Sequence, residues 1–174
     1  MQIEVNRIEA SRFVDEARPI NRFKLVFRTP TYLKQSDSVV VLFPQPDILC
    51  KHLARVWNEL LPKFEPLDAD ALAAWSAKHV RLTSYSLETA PVSLDQDRRA
   101  TTGFHGWASF ATTLAPSIEH DDLIYATIVD RLLQFAIFSG IGGNRTTGMG
   151  SIKVHDVSYY HGVPGSPEIV ADSI

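Results

Sequence analysis

The chain has 174 residues, 45% of them hydrophobic and 21% charged, with a formal net charge of −3, a composition that argues against a disordered or fibrous protein. A single cysteine, Cys50, leaves no pair for an internal disulfide, and a chain this long can close a core without staples. The sequence opens Met-Gln-Ile-Glu, without a basic segment leading into an apolar one, and no run reaches 18 apolar residues. The expectation is a cytoplasmic protein with no membrane partner.

Net negative charge argues against a generic nucleic-acid binder, whose surface is usually strongly basic. The charge is segregated, however. Residues 1–34 hold seven Lys/Arg against four acids, residues 35–130 seven against thirteen, and residues 131–174 three against three. A local phosphate-binding face can exist on such a chain if its basic start meets the glycine-rich segment near its end. Composition alone favours the plainer reading, ordinary solvated surface.

Repeats and low-complexity stretches are absent, so residues 1–174 read as one domain. Alternation of apolar and polar side chains predicts strands at 2–8 (QIEVNRI) and 23–28 (FKLVFR). The second is expected to stop at Thr29-Pro30, since proline cannot donate to a ladder, and to give way to a loop with Thr31, Tyr32, Lys34 and Gln35. From Pro46 to Phe64 apolar residues recur at three- and four-residue steps, the spacing of one helix face, with Pro46 and Asp47 suited to the first turn. A shorter helix is predicted over 68–78. Two β-rich runs, 80–87 and 103–113, follow, with Asp95 to Arg99 as the turn of a hairpin. Residues 121–138 form the longest apolar-periodic segment, a core helix whose first turn holds Asp121 and Asp122 where the dipole favours them. A last strand spans 151–160. After the first strand the order β-α-β-β-α-β is that of an α+β, ferredoxin-like (RRM-like) sandwich, with an antiparallel sheet and an extra N-terminal strand.

Residues 140–150 carry five glycines in eleven positions: Gly140-Ile141-Gly142, five residues with Arg145 inside, then Gly148-Met149-Gly150. Glycine is needed where φ is positive or where another group approaches the main chain, and successive amides can form an anion-binding concavity. Gly143, Asn144, Thr146 and Thr147 complete the segment, and Arg145 can engage a phosphate bidentately. A polyanion is the expected ligand. The segment is neither a Walker loop nor a dinucleotide fingerprint, because it leaves a helix and enters a strand, whereas those run from a strand into a phosphate-binding helix N-terminus. A nucleotide cofactor is therefore not expected. The plainer reading, Gly140 as a helix C′ residue before a flexible turn, explains one glycine and not the paired pattern.

This Gly-hydrophobic-Gly pair, lying between an apolar helix and the last strand, resembles the signature loop of the CRISPR-associated RAMP proteins. Among them it is most similar to the endoribonuclease that processes precursor CRISPR RNA. FKLVFRTPTYLK at 23–34, Trp57-Asn58 in the following helix, and GFHGWASF at 103–110 resemble that family too, so the likeness covers most of residues 20–155. The family usually has two ferredoxin-like repeats with the loop in the second. This chain matches the second, and about twenty residues precede the match, too few for another repeat.

The resemblance implies metal-independent cleavage, in which a ribose 2′-hydroxyl attacks the adjacent phosphate and leaves a 2′,3′-cyclic phosphate. That chemistry needs a base, an acid at the departing 5′-oxygen, and cations or amides around the phosphorane. The general-acid histidine of many members lies in the first repeat and is not carried over. Of the six histidines here, none is paired at metal-ligand spacing, so no metal is expected. His52, within the first long helix, is the candidate catalytic residue by analogy with the first repeat; its plainer reading is a core-edge side chain. His105 shares a strand face with Trp107 and reads as a sheet residue. Lys153 and His155, next to the loop on the last strand, are candidate RNA contacts. Tyr32 and Lys34 are equally read as a stacking and phosphate-binding pair or as solvated loop. Phe23, Phe27, Phe104 and Phe110 alternate toward one face and read as core. For Asp121 and Asp122, helix N-terminal charge is plainer than metal binding.

The expected ligand is CRISPR repeat RNA, contacted by Gly140, Gly142, Gly143, Asn144, Arg145, Thr146, Thr147, Gly148, Gly150 and Lys153. Other CRISPR-associated proteins or a second copy are the candidate protein partners. Two other readings stay open: a non-catalytic RAMP subunit that holds guide RNA in an effector complex, and an α+β domain whose glycine loop binds a phosphorylated metabolite.

Overall fold

The computed structural model describes residues 10–36, 39–92, 101–114 and 120–160. In chain order its elements are α1 (Ser11–Asp15), β1 (Ile20–Thr31), β2 (Leu33–Lys34), β3 (Val40–Val41), α2 (Pro46–Leu60), α3 (Ala69–His79), β4 (Val80–Val92), β5 (Thr101–Thr112), α4 (His120–Ser139), a 3-10 turn (Arg145–Thr147) and β6 (Ile152–Tyr159). The main sheet has the order β4-β5-β1-β6 and is antiparallel at every pairing. Two β-α-β units interlock in it: β5 lies between β1 and β4, and β1 between β5 and β6. That is the expected ferredoxin-like α+β arrangement. The predicted strand over 2–8 and the turn from Asp95 to Arg99 lie outside the described residues.

Alternation along the strands assigns the two faces of the sheet. Phe23, Leu25 and Phe27 of β1 and Phe104, Ala108 and Phe110 of β5 point toward the helices and are at most 2% exposed. Phe23 stacks on Phe110, with ring centroids 5.0 Å apart, and Phe27 meets Phe104 edge-on at 4.9 Å. The four phenylalanines are core, as alternation predicts. Above them α2 buries Ile48, Leu49, Leu53, Val56 and Trp57, and α4 buries Val129, Leu132, Leu133 and Phe135. Asp68 caps α3 by accepting from the amides of Asp70 and Ala71. No helix among the described residues is long and apolar enough to cross a membrane.

Three local features depart from the sequence reading. β1 does not stop at Thr29-Pro30 but runs to Thr31, because its register against β5 slips between Phe27 and Thr31. At such an irregularity a proline's missing N–H costs no ladder bond. Leu33–Lys34 then pairs with Val40–Val41 in a short ribbon where a loop is expected, and Tyr32 is 7% exposed and buried rather than solvated. Helix α1, with no predicted counterpart, inserts Phe13 against Trp57, Phe135 and Phe138.

Trp57 is the centre of the helical layer. It is 1% exposed and meets Phe13, Phe64 and Phe135 edge-on, with the Arg131 guanidinium over its ring. Trp57→Ala empties a site framed by α1, α4 and the segment that follows α2, and urea unfolding should register a loss of about 3–5 kcal/mol; a loss below about 1 kcal/mol would mean that this layer closes over the void.

Candidate functional site

The segment 140–150 is seated on the end of β1. The Gly140 amide donates to the Ala136 carbonyl (2.9 Å) and ends α4. Ile141 donates to Gly150 (2.9 Å) and closes the base of the loop. Gly143 donates to the Tyr32 carbonyl (3.2 Å), Gly150 to that of Pro30 (3.1 Å), and Ser151 to the Thr29 hydroxyl (2.9 Å). The hydrophobic member of each triplet is a plug: Ile141 is 0% and Met149 4% exposed. The glycines beside them allow main chains to touch. A Cβ on Gly142, at φ +88°, would lie 2.2 Å from the Tyr32 carbonyl oxygen, and one on Gly150 would lie 2.0 Å from that of Ile141. Gly143 has the Tyr32 ring against it in the same way.

Much of the paired pattern therefore serves to seat the loop. The amides of Ile141, Gly142, Gly143, Gly148 and Gly150 all donate inside the protein. What faces solvent is the tip: Asn144, Thr146, Thr147 and Gly148 are exposed, and Arg145 is half-buried beside them. Asn144 takes a left-handed conformation (φ 54°), and its carbonyl accepts from the Thr147 hydroxyl (2.7 Å). The tip is thus a shaped turn that presents hydroxyls, an amide side chain and a guanidinium.

His52 stands under this loop. From α2 its Nε2 accepts the Gly142 amide at 2.8 Å, so in this geometry the ring is neutral and its proton is on Nδ1. Burial, then the positive charges of Arg145 and Arg55, push its pKa down to about 4. Arg145 and Arg55 are thus both near enough to act on His52. The Arg145 Nη1 also reaches the Ser139 carbonyl at 3.4 Å, at the negative end of α4. Lys51 is taken up by Asp70.

The other candidates lie apart from this corner or have other partners. Lys153 and His155 are exposed on β6, opposite Val26 and Lys24 of β1. His105 is half-exposed on β5, on the same face as Trp107. Tyr32 cannot offer a free ring for stacking, because its ring packs against Gly143. Asp122 is a structural tie as well as a helix N-terminal charge: its Oδ1 accepts from Trp75 Nε1 (2.9 Å) and lies 3.8 Å from His79 Nε2. Sequence reasoning missed Arg55 and the acceptor role of His52. No local signal could have found the latter, since 90 positions separate His52 from Gly142.

Two expectations follow from the geometry. Gly148→Ala meets no heavy atom within 4 Å and carries only the strain of φ +89°, about 1–2 kcal/mol. Gly142→Ala adds a clash with main chain, so thermal unfolding should show a larger loss, and amide exchange at residues 141–150 should rise in that variant alone. The second concerns pH. The folded chain holds the His52 pKa near 4 against about 6.5 when unfolded, so the unfolded chain binds the extra proton. Stability from this group is complete above pH ~6.5 and falls toward pH ~4, by up to about 1.4 kcal/mol per pH unit. His52→Gln should remove that part of the slope from a series of urea midpoints; an unaltered slope would show that His52 titrates normally.

The family model of the CRISPR-associated endoribonuclease Cas6 matches residues 25–152. A Cas6 of Mycobacterium tuberculosis is 30% identical over 157 residues, which cover 90% of this chain and 46% of that protein. One of Streptococcus thermophilus is 28% identical over 134 residues, covering 77% and 51%. The structure of a Thermus thermophilus Cas6 aligns with a TM-score of 0.71 at 21% identity, covering 85% of this chain and 58% of that one, a likeness of fold. The chain spans about half the length of the curated relatives it matches. The family match runs from the middle of β1 to the first residue of β6, taking in the strand, the loop seated on it and the helix beneath, and on that match the chain belongs to the CRISPR-associated endoribonuclease Cas6 family.

Proposed function

We propose that this chain is one ferredoxin-like domain that holds repeat RNA for the processing of CRISPR precursor RNA, with the tip of the glycine loop against a backbone phosphate. The observation that carries the reading is the braced loop. Its base is fixed by main-chain contacts to β1 and by His52, while Asn144, Thr146 and Thr147 stay exposed beside Arg145. Donors held in place before the ligand arrives lose little freedom on binding and suit a charge that grows in the transition state. Arg55 and Arg145 supply positive charge at the same corner. Lys153 lies apart from that corner, as a separate exposed cation on β6.

In such cleavage the 2′-hydroxyl loses a proton, its oxygen bonds to phosphorus, and the 5′-oxygen departs with a proton. His52 is badly placed to donate that proton near neutral pH. Its Nε2 is engaged by Gly142, and a pKa near 4 leaves almost no protonated ring. We assign it to holding the loop. This chain's share of the reaction is then to bind and orient the phosphate. The same observation favours the second reading, a subunit that holds guide RNA without cutting it.

Incubation with labelled repeat RNA in EDTA, beside a substrate whose 2′-hydroxyl at the cut site is replaced by hydrogen, separates the two. Cleavage of the first and not the second would place an active centre in this chain and overturn the assignment of His52 to a holding role if His52→Gln also abolished it. Binding without cleavage fits the holding role. Arg145→Ala should keep the fold, weaken binding and reduce the salt dependence of log K by about 0.7 for a single strand. Unchanged affinity would remove the loop from the RNA site.

A further inference from the structure

A groove on the helical side takes no part in the loop site. It has a volume of about 940 Å³ and lies between α4, the segment that leads into α3, and the link from α1 to β1. Its lining is largely apolar. Leu67, Leu72, Leu123, Ile124 and Ile128 contribute to it, and Ile124 is 45% exposed. Arg18 and Arg131 face the acids Glu65, Asp68 and Asp121 across it. Two of these acids have other duties: Asp68 caps α3, and Asp121 sits in the first turn of α4, where the helix dipole offsets its charge. Arg131 is half-buried over the Trp57 ring, and its Nε has no hydrogen-bond partner among the described residues.

The chain leaves β6 beside this groove. The Tyr160 amide donates to the carbonyl of Pro19 (3.0 Å), which lines the groove, and the Tyr160 hydroxyl donates to the Thr112 carbonyl (2.7 Å). Residues 161–174, HGVPGSPEIVADSI, follow. Extended at ~3.3 Å per residue they reach about 46 Å, whereas α4 from Asp121 to Arg131 spans only about 15 Å. Reach is therefore ample. The segment brings the apolar Val163, Ile169, Val170 and Ile174, and its carboxylates Glu168 and Asp172 are joined by no Lys or Arg. Pro164 and Pro167 hold φ near about −65°, so less backbone freedom is lost when the segment is laid on a surface. A second hollow, of about 630 Å³, also lies beside Arg18 and Tyr159, but it gathers Asp15, Glu16 and Asp130 and repels an acidic segment.

We propose that residues 161–174 dock in the groove beside α4, with Ile169 and Val170 on Leu67, Leu72 and Ile124, and with Glu168 toward Arg131. The inference does not depend on the RNA reading of the loop.

The test places a nitroxide on the full 174-residue chain at Ser173→Cys. Cys50 is buried and its thiol pKa is pushed up to about 11 by that burial, so it stays unlabelled near neutral pH. Amide resonances of Leu67, Leu72 and residues 121–128 should lose most of their intensity relative to the reduced label, while those of residues 140–150 keep theirs. Ile124→Asp, at an exposed position, should restore the lost intensity, as should Ile169→Asp with Val170→Asp, which lie outside the packed core. Losses that are absent, spread evenly over the protein or centred elsewhere would overturn the proposal, and so would losses that neither variant relieves. In a mixture of nitroxide-bearing and isotope-enriched molecules the losses should vanish; if they persist there, the groove takes the segment of a second copy, which would also overturn it.

Discussion

The loop end of the molecule depends on one steric constraint, the contact of two main chains between Gly142 and the carbonyl of Tyr32. With a Cβ at position 142 only 2.2 Å from that oxygen, nothing larger than glycine sits there without moving the loop or the strand. Because the chains touch, the Gly142 amide is turned toward α2, where His52 accepts it. The Gly143 amide is left for Tyr32. Strand, helix and loop thus meet at one peptide, and the exposed residues from Asn144 to Gly148 inherit their position from it. An unsupported eleven-residue segment with five glycines would have a large conformational entropy to lose on meeting a ligand. Here much of that cost is met in folding.

Electrostatics at this corner run against what helix geometry alone would give. The loop leaves the C-terminus of α4, whose unpaired carbonyls repel an anion. Arg145 turns back to the Ser139 carbonyl and offsets that end from within the loop. Its charge, with that of Arg55, is also felt by His52, which burial already holds neutral. A protonated His52 would add charge to the site but would lose the lone pair that Gly142 needs. The imidazole can be an acceptor for the loop or a cation for a ligand, and in this fold it is the acceptor.

The elements with strong periodicity were legible in the sequence, and those made by distant partners were not. Apolar spacing marks α2 to its start at Pro46, and alternation marks the inward phenylalanines of β1 and β5, because each records a face that must be buried. The glycine spacing marks the loop, though it says nothing of what the glycines touch. Those that looked like an open cradle of amides are largely spent on Tyr32, Pro30 and His52. Helix α1 has five residues, too few for a period to be read, and exists because Phe13 finds Trp57 and Phe135. The Leu33–Lys34 ribbon is illegible for the same reason: two paired residues on each side carry no pattern.

The slip in register near Pro30 explains how one strand serves the core, the open face and the loop at once. Up to Phe27, β1 pairs with β5 on one side and β6 on the other, so its main chain is committed and its side chains divide between core and open face. Beyond Phe27 the regular pairing is interrupted until Thr31 meets Phe104. In that gap the Pro30 carbonyl and the Thr29 hydroxyl are free to turn to Gly150 and Ser151. A continuous ladder would have left the loop without these partners, and the proline, which has no N–H to lose, is the residue that tolerates the interruption. The feature that interrupts the ladder is the one that lets the loop dock, and through Arg28 and Ser151 it joins the loop to the open face of the sheet.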